Sequence, residues 1–262
     1  MKIVKLGGSV ITEKSKSKRL RKDVLNRLCA EIARSGEKVI VVHGAGSFGH
    51  ILAKKYDLQN GSDPKRGKEQ ALGVAQVQRD MRVLNLAVLD ALMKNGLRPV
   101  SIPPSASVRC DNKKITVLDH KLFEDYLEVG LTPVSFGDVV LDTELGFCIC
   151  SGDKIIERLS ETMTVAQVIF ATDVDGVFTE VPDTQGSKLI PEISSRYNKD
   201  LQCSHTKAPD VTGGMDGKVR TARRIAMLGI PSVILNGNSK DRLLRALKGQ
   251  RTVCTVIRGG EC

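Results

Sequence analysis

Short runs rich in Val and Ile punctuate the chain at positions 2–6, 39–43, 99–102, 133–136, 167–172, 232–235 and 252–257. Runs of this length and β-branched character predict strands. Between them the apolar positions change period. Leu20, Val24, Leu28 and Ile32 recur at helical spacing and predict a helix over 20–35 that Gly36 ends. Val77, Met81, Leu84, Val88 and Leu92 do the same for a long helix over 76–95, with Gly96 as its stop. Shorter helices are expected at 120–129, 154–163, 214–228 and 240–248. A loop or small hairpin is expected at 105–118, and a hairpin over 139–150 turning at 143–146. This alternation of strands and helices predicts an α/β fold around a mostly parallel, doubly wound sheet. At 262 residues the chain suits one large domain or two lobes sharing a sheet, and a junction near Ser151 would divide it into 1–150 and 151–262.

Composition narrows the class. The apolar fraction is 41%, but aromatics are only 3% and tryptophan is absent, so the core must be Val, Ile, Leu and Ala, as suits a buried parallel sheet. No apolar run approaches the ~20 residues of a membrane span. The first strand begins within two residues of the N-terminus, so neither a membrane segment nor a leader peptide is expected. The seven cysteines are scattered and odd in number, and the one close pair, Cys148 and Cys150, is expected on opposite sides of a strand. Reduced thiols in a cytoplasmic protein are the expectation.

A net charge of +10 fits a protein that handles anions. The cations gather at 14–22, 54–68 and 218–224, and none of these clusters is interleaved with aromatics. Most of them read as solvated helix faces, and no nucleic-acid partner is expected.

Candidate chemistry lies where strands meet glycines. The run 39–43 breaks into Gly44-Ala45-Gly46-Ser47-Phe48-Gly49-His50, and the first strand ends in Lys5-Leu6-Gly7-Gly8-Ser9. Such turns let backbone N–H groups converge on an anion at the positive end of the next helix. One turn alone would read as tight packing. Two turns, with Lys5 and Ser9 at one and His43 and His50 at the other, read as a phosphate site at the carboxyl edge of the sheet. The GxGxxG match is not a dinucleotide fingerprint, because the region ~20 residues on is basic and no strand. Nor is 61–68 a P-loop: the spacing is one residue too long, and Glu69 stands where Ser or Thr belongs. Asp173 and Asp175 end a strand and are either a solvated turn or a magnesium or ribose contact. The glycine-rich segment 210–218 opens a helix with Lys218 in its first turn, where a lysine opposes the helix dipole unless a phosphate is bound.

Taken together, Lys5 to Ser9, His43 to His50, Ser151-Gly152-Asp153, Ala171 to Val177 and Val211 to Met215 with Lys218 resemble the amino acid kinase superfamily. The Gly-Ser-Phe-Gly-His ending resembles more narrowly its isopentenyl phosphate kinase family. The resemblance implies an open three-layer αβα sandwich with an N-terminal acceptor lobe and a C-terminal nucleotide lobe. It implies ATP-dependent phosphorylation of isopentenyl phosphate within a variant mevalonate pathway. Mg²⁺ would be carried mainly by the nucleotide, no metal ligand set is expected in the protein, and a homodimer is suggested. By similarity Gly7, Gly8, Ser9 and Gly46 would hold ATP phosphates by backbone N–H, with Asp173, Gly213, Gly214 and Lys218 on the nucleotide side. Ala45, Gly46, His50 and Gly152 would hold the acceptor phosphate. Asp153 would orient the lysines, while Lys5, Lys14 and Lys218 would neutralise the transferring group. The acceptor's chain would lie on the long helix near Val77 and Met81. At Ala45 the family has glycine, so the backbone there is either ordinary or strained. A superfamily member with a carboxylate, carbamate or nucleoside monophosphate acceptor is the nearest alternative. A non-catalytic nucleotide- or nucleic-acid-binding regulator is the alternative of another class.

Overall fold

The computed structural model describes residues 1–13, 18–182, 184–195 and 214–259. In chain order the elements are β1 (Lys2–Leu6), α1 (Gly8–Ile11), α2 (Lys22–Ser35), β2 (Val39–His43), α3 (Gly46–Lys55), α4 (Gly67–Lys94), β3 (Pro99–Ser101), α5 (Pro104–Ser107), β4 (Val108–Asp111), β5 (Lys114–Leu118), α6 (His120–Glu128), β6 (Thr132–Phe136), β7 (Asp138–Asp142) and β8 (Gly146–Cys150). There follow α7 (Gly152–Thr162), β9 (Gln167–Thr172), β10 (Val177–Phe178), β11 (Leu189–Ile190), β12 (Glu192–Ser194), α8 (Gly214–Met227), β13 (Ser232–Asn236), α9 (Arg242–Leu247) and β14 (Thr255–Arg258).

Eight strands form the central sheet in the order β12-β14-β13-β9-β1-β2-β6-β3. Every pairing in it is parallel except β13 with β14. Period-two alternation sends the buried strand residues to two separate cores. Ile3, Val42 and Phe170 pack under α6, α7 and α8, while Val4, Leu6, Val41 and Ile169 pack under α2, α3, α4 and α9. This is the three-layer αβα architecture. β1 lies between β2 and β9, so the connections leaving β1 and β9 run to opposite sides of it. In open α/β sheets such a switch point leaves a crevice beyond the carboxyl ends of the strands.

Several elements differ from the sequence expectation. α4 begins at Gly67 rather than 76. Gly67 and Gly73 lower helix propensity in that stretch, yet Gly73 is buried where a Cβ would lie 2.4 Å from the Tyr56 ring. Packing against Tyr56 therefore overrides propensity. The segment 105–118 is a hairpin, β4 with β5, in a second sheet of order β5-β4-β7-β8. β10, β11 and β12 are too short to show a periodic signal. Cys148 and Cys150 are both buried in one core, with Phe147 and Ile149 on the other side of the strand. Residues two apart share a strand face, so the expected opposite placement is overturned. The five described cysteines are free thiols. Among the described residues no helix is long and apolar enough to cross a membrane.

One buried carboxylate ties the first half of the chain to the second. Glu31 on α2, only 1% exposed, accepts from Arg27 Nη1 at 2.6 Å, from Asp241 N at 3.0 Å and from Leu244 N at 3.2 Å. It thereby caps α9 from another helix. Glu31→Ala should lower unfolding free energy by about 3 kcal/mol, since Arg27 and two backbone donors lose their acceptor. A loss of less than about 1 kcal/mol in urea unfolding would overturn this.

Candidate active site

The two glycine turns touch each other. A Cβ on Gly8 would lie 2.3 Å from Gly46 N, and one on Gly44 would lie 2.6 Å from Gly8 N. Only glycine permits this backbone-to-backbone approach. Thr12 fastens the junction: its Oγ1 donates to Gly8 O at 2.7 Å and accepts from Ser47 N at 3.0 Å. The positive φ that the turn requires falls at Gly46 (48°). Ala45 has φ −72° and ψ −33°, an ordinary helical conformation, so the extra methyl introduces no backbone strain.

Neither N-cap residue, Gly7 for α1 or Ala45 for α3, caps its helix with a side chain, and of the first N–H groups of α3 that of Ser47 is taken by Thr12. The Gly7 N–H donates to Ala171 O at 2.9 Å, continuing the β1–β9 ladder. Gly7 is therefore not one of the anion donors the resemblance implies. Gly8, Ser9 and Gly46 line the cleft. α7 and α8 also begin at the crevice, through Gly152 and Gly214. The first described residues of all four helices thus line one space, where helix-start N–H groups favour an anion.

That space is a cleft of about 310 Å³. Lys5, Gly7, Gly8, Ser9, Ala45, Gly46, His50, Gly152, Asp173, Gly214 and Lys218 all line it. Lys5 is buried, and its Nζ lies 2.5 Å from Asp153 Oδ1 in the first turn of α7. A carboxylate there also complements the helix dipole. A Cβ on Gly152 would press on Val42 Cγ1 at 3.0 Å and meet Lys5 Cε at an ordinary 3.7 Å. Lys218 Nζ donates to Gly214 O at 3.2 Å. Lys14 and Gly213 lie outside the described residues.

Two expected participants are elsewhere. His43 shares its strand parity with Val39 and Val41 and points into the core beneath α4, fully buried. It stacks on Phe136 at 5.1 Å, with ring nitrogens 3.3 Å from Gly44 O and 3.2 Å from Asn85 Oδ1. Asp175 turns away from the cleft to Arg242 Nη1 at 2.7 Å and Asn236 Nδ2 at 2.9 Å. Burial pushes its pKa up, but those two partners outweigh burial and hold the pKa below the usual carboxylate value. Of the pair, only Asp173 reaches the cleft.

The sequence reading missed Gly137, which ends β6 as Gly7 ends β1, a signal that was present. It also missed the apolar residues Val139 and Ile149, which line the cleft with Val77 and Met81. Nothing in hairpin alternation says which face a cleft will use.

Two buried groups near the cleft give a pH signature. Burial lowers the His43 pKa from 6.5 to about 4. The unfolded chain then takes up a proton first, and stability is lost as pH falls from 6.5 through 4. Burial raises the Asp138 pKa from 3.8 to about 6. Here the folded chain takes up the proton first, and stability is gained as pH falls through 6. Each is worth about 3 kcal/mol and the two nearly cancel. Asp138→Asn removes the gain, so this variant should lose about 3 kcal/mol between pH 7 and pH 4 relative to the parent chain. Parallel pH–stability curves for the two proteins would overturn the assignment.

Residues 1–236 match the amino acid kinase family. Over 99% of both chains the sequence is 38% identical to the isopentenyl phosphate kinase of Methanothermobacter thermautotrophicus. The chain belongs to the isopentenyl phosphate kinase branch of the amino acid kinase family. An X-ray structure of an isopentenyl phosphate kinase superposes with a TM-score of 0.86 at 35% identity, covering 97% of this chain and 98% of that one. The product complex of the Thermoplasma acidophilum isopentenyl phosphate kinase superposes with a TM-score of 0.80 at 31% identity, covering 98% and 100%.

Proposed function

We propose that this chain transfers the γ-phosphoryl group of ATP to isopentenyl phosphate, giving isopentenyl diphosphate for a variant mevalonate pathway. One observation carries the reading: the first residues of α1, α3, α7 and α8, with Lys5 and Lys218, line the same cleft as the apolar side chains of Val77, Met81, Val139 and Ile149. A phosphorylated alcohol with a short hydrocarbon tail matches both halves of that surface. Residues 1–150 would form the acceptor lobe and 151–262 the nucleotide lobe.

The acceptor phosphate would lie against Ala45, Gly46, His50 and Gly152, with its chain on Val77, Met81, Val139 and Ile149. The ATP phosphates would accept from Gly8, Ser9 and Gly46 N–H, with Asp173, Gly213, Gly214 and Lys218 on the nucleotide side. Phosphoryl transfer passes through a loose transition state with charge spread over the equatorial oxygens, so positioning and cations supply the catalysis. Lys5, Lys14 and Lys218 would neutralise that charge, and Asp153 would hold Lys5 in place. His50 would donate an N–H to the acceptor phosphate. A base is not needed, because that phosphate is already ionised near neutral pH. Mg²⁺ would enter on the nucleotide and add positive charge there.

The same reading makes the protein a cytoplasmic homodimer. Leu72, Val83, Leu86 and Met93 are each at least half exposed and share one face of α4, an apolar stripe suited to a second copy.

The test is ATP turnover on isopentenyl phosphate against aspartate, glutamate, carbamate and UMP. Selective turnover of the prenyl phosphate is expected, and preference for any of the others would refute the acceptor assignment. His50→Ala should lower kcat/KM for isopentenyl phosphate about a hundredfold, because a charge-assisted bond to phosphate is lost. Its KM for ATP should stay near the parent value. A mild effect would favour the carboxylate-kinase alternative.

A further inference from the structure

Asp80 is a charged group outside the cleft that the mechanism above does not use. It sits on α4 between Arg79 and Met81, and its side chain is only 3% exposed. A carboxylate so placed is unfavourable without cationic partners. It has two. Arg79, the adjacent residue, reaches Oδ1 with Nη2 at 2.8 Å. Lys18 reaches Oδ2 with Nζ at 2.8 Å from a distant part of the chain.

Lys18 holds this position with φ 55°, a conformation that non-glycine residues seldom adopt. Its backbone N–H meets Ser47 O at 3.4 Å, in the first turn of α3. The arm it belongs to is tied down at two further points. Thr12 bridges Leu20, and Glu13 N donates to Arg19 O at 2.9 Å. Thr12 is the same residue that fastens Gly8 to Ser47. The arm, the α3 turn and the glycine junction are therefore one connected unit, and Asp80 anchors its outer end to α4.

We propose that Asp80 is a positioning residue for the acceptor site, acting through Lys18 on the first turn of α3. The inference rests on the acceptor assignment above. Without the ion pair, the start of α3, which leads into His50, loses one of its fixed points, whereas the ATP-side residues Gly8, Ser9, Asp173 and Lys218 stand on other elements and the Gly46–Ser47 peptide stays tied to Gly8 through Thr12. The effect should therefore fall on one substrate.

Steady-state kinetics of Asp80→Asn, Lys18→Met and the double variant test this. Each single variant should raise KM for isopentenyl phosphate about tenfold and leave KM for ATP within about twofold, and the double should be no worse than either single. Asp80→Glu, which retains the charge, should recover most of the loss. Unchanged acceptor KM in both singles, equal shifts in both KM values, or additive losses in the double would overturn the proposal. Lys18 is partly exposed, so Lys18→Met decides the matter alone if Asp80→Asn does not fold. A parent chain inactive on isopentenyl phosphate would remove the acceptor assignment and this inference with it. An active parent with unaffected variants would remove this inference only.

Discussion

Lys5→Met is expected to lower kcat/KM roughly a thousandfold, ~4 kcal/mol of barrier. Lys5 lies at the carboxyl end of the central strand, buried, with its ammonium against Asp153 in the cleft wall. Removing it has two consequences. The transferring group loses a cation held in a water-poor site, where such a charge acts most strongly. Asp153 also becomes an uncompensated buried anion facing incoming phosphates, which should destabilise the fold by about 3 kcal/mol. Lys5→Met/Asp153→Asn separates these effects. The double variant should regain the melting temperature and remain nearly as slow as Lys5→Met. Recovery of kcat/KM to within about tenfold of the parent would mean that Lys5 serves only to neutralise Asp153.

Gly8→Ala should be comparably severe for a different reason. Its methyl would sit 2.3 Å from Gly46 N and 2.7 Å from Gly46 Cα. Both are backbone atoms that cannot rotate away, so the donor and acceptor turns must separate. A displacement of about 1 Å between reacting groups can cost a hundredfold in rate, and here both phosphate cradles shift together. We expect kcat/KM to fall by at least about two orders of magnitude, with KM rising for both substrates. Gly36→Ala offers a control, since nothing lies within 4 Å of its added carbon. It should cost only the strain of its left-handed backbone, about 1 kcal/mol, and leave kinetics unchanged. Gly8→Ala kinetics within threefold of the parent would show that the two turns are not mechanically coupled.

How much of this was legible beforehand depends on the kind of signal. The expected strands at 2–6, 39–43 and 167–172 coincide with β1, β2 and β9, because fully buried parallel strands must be continuous β-branched runs. The glycine turns were legible because close backbone approach excludes every other residue. α4's first turns were not, because burial against Tyr56 overrode two glycines. His43 shows the limit most clearly. Its position beside the turn suggested a ligand contact, while its parity with Val39 and Val41 already directed it inward. The Lys5–Asp153 pair joins residues 148 positions apart, and no local pattern announces such a meeting. The apolar wall depended on how the β7–β8 hairpin lies over the sheet, which is a tertiary fact.

The ordinary helical backbone at Ala45 has one more effect. Its methyl group fills the space into which a side chain at position 49 would project: a Cβ on Gly49 would be 2.8 Å from Ala45 Cβ and 3.3 Å from Met81 Sδ. Positions 45 and 49 are therefore sterically exclusive, one helical turn apart. A larger residue at 49 becomes admissible only in a chain that first gives up the methyl at 45, so the order in which such changes could accumulate is set by geometry.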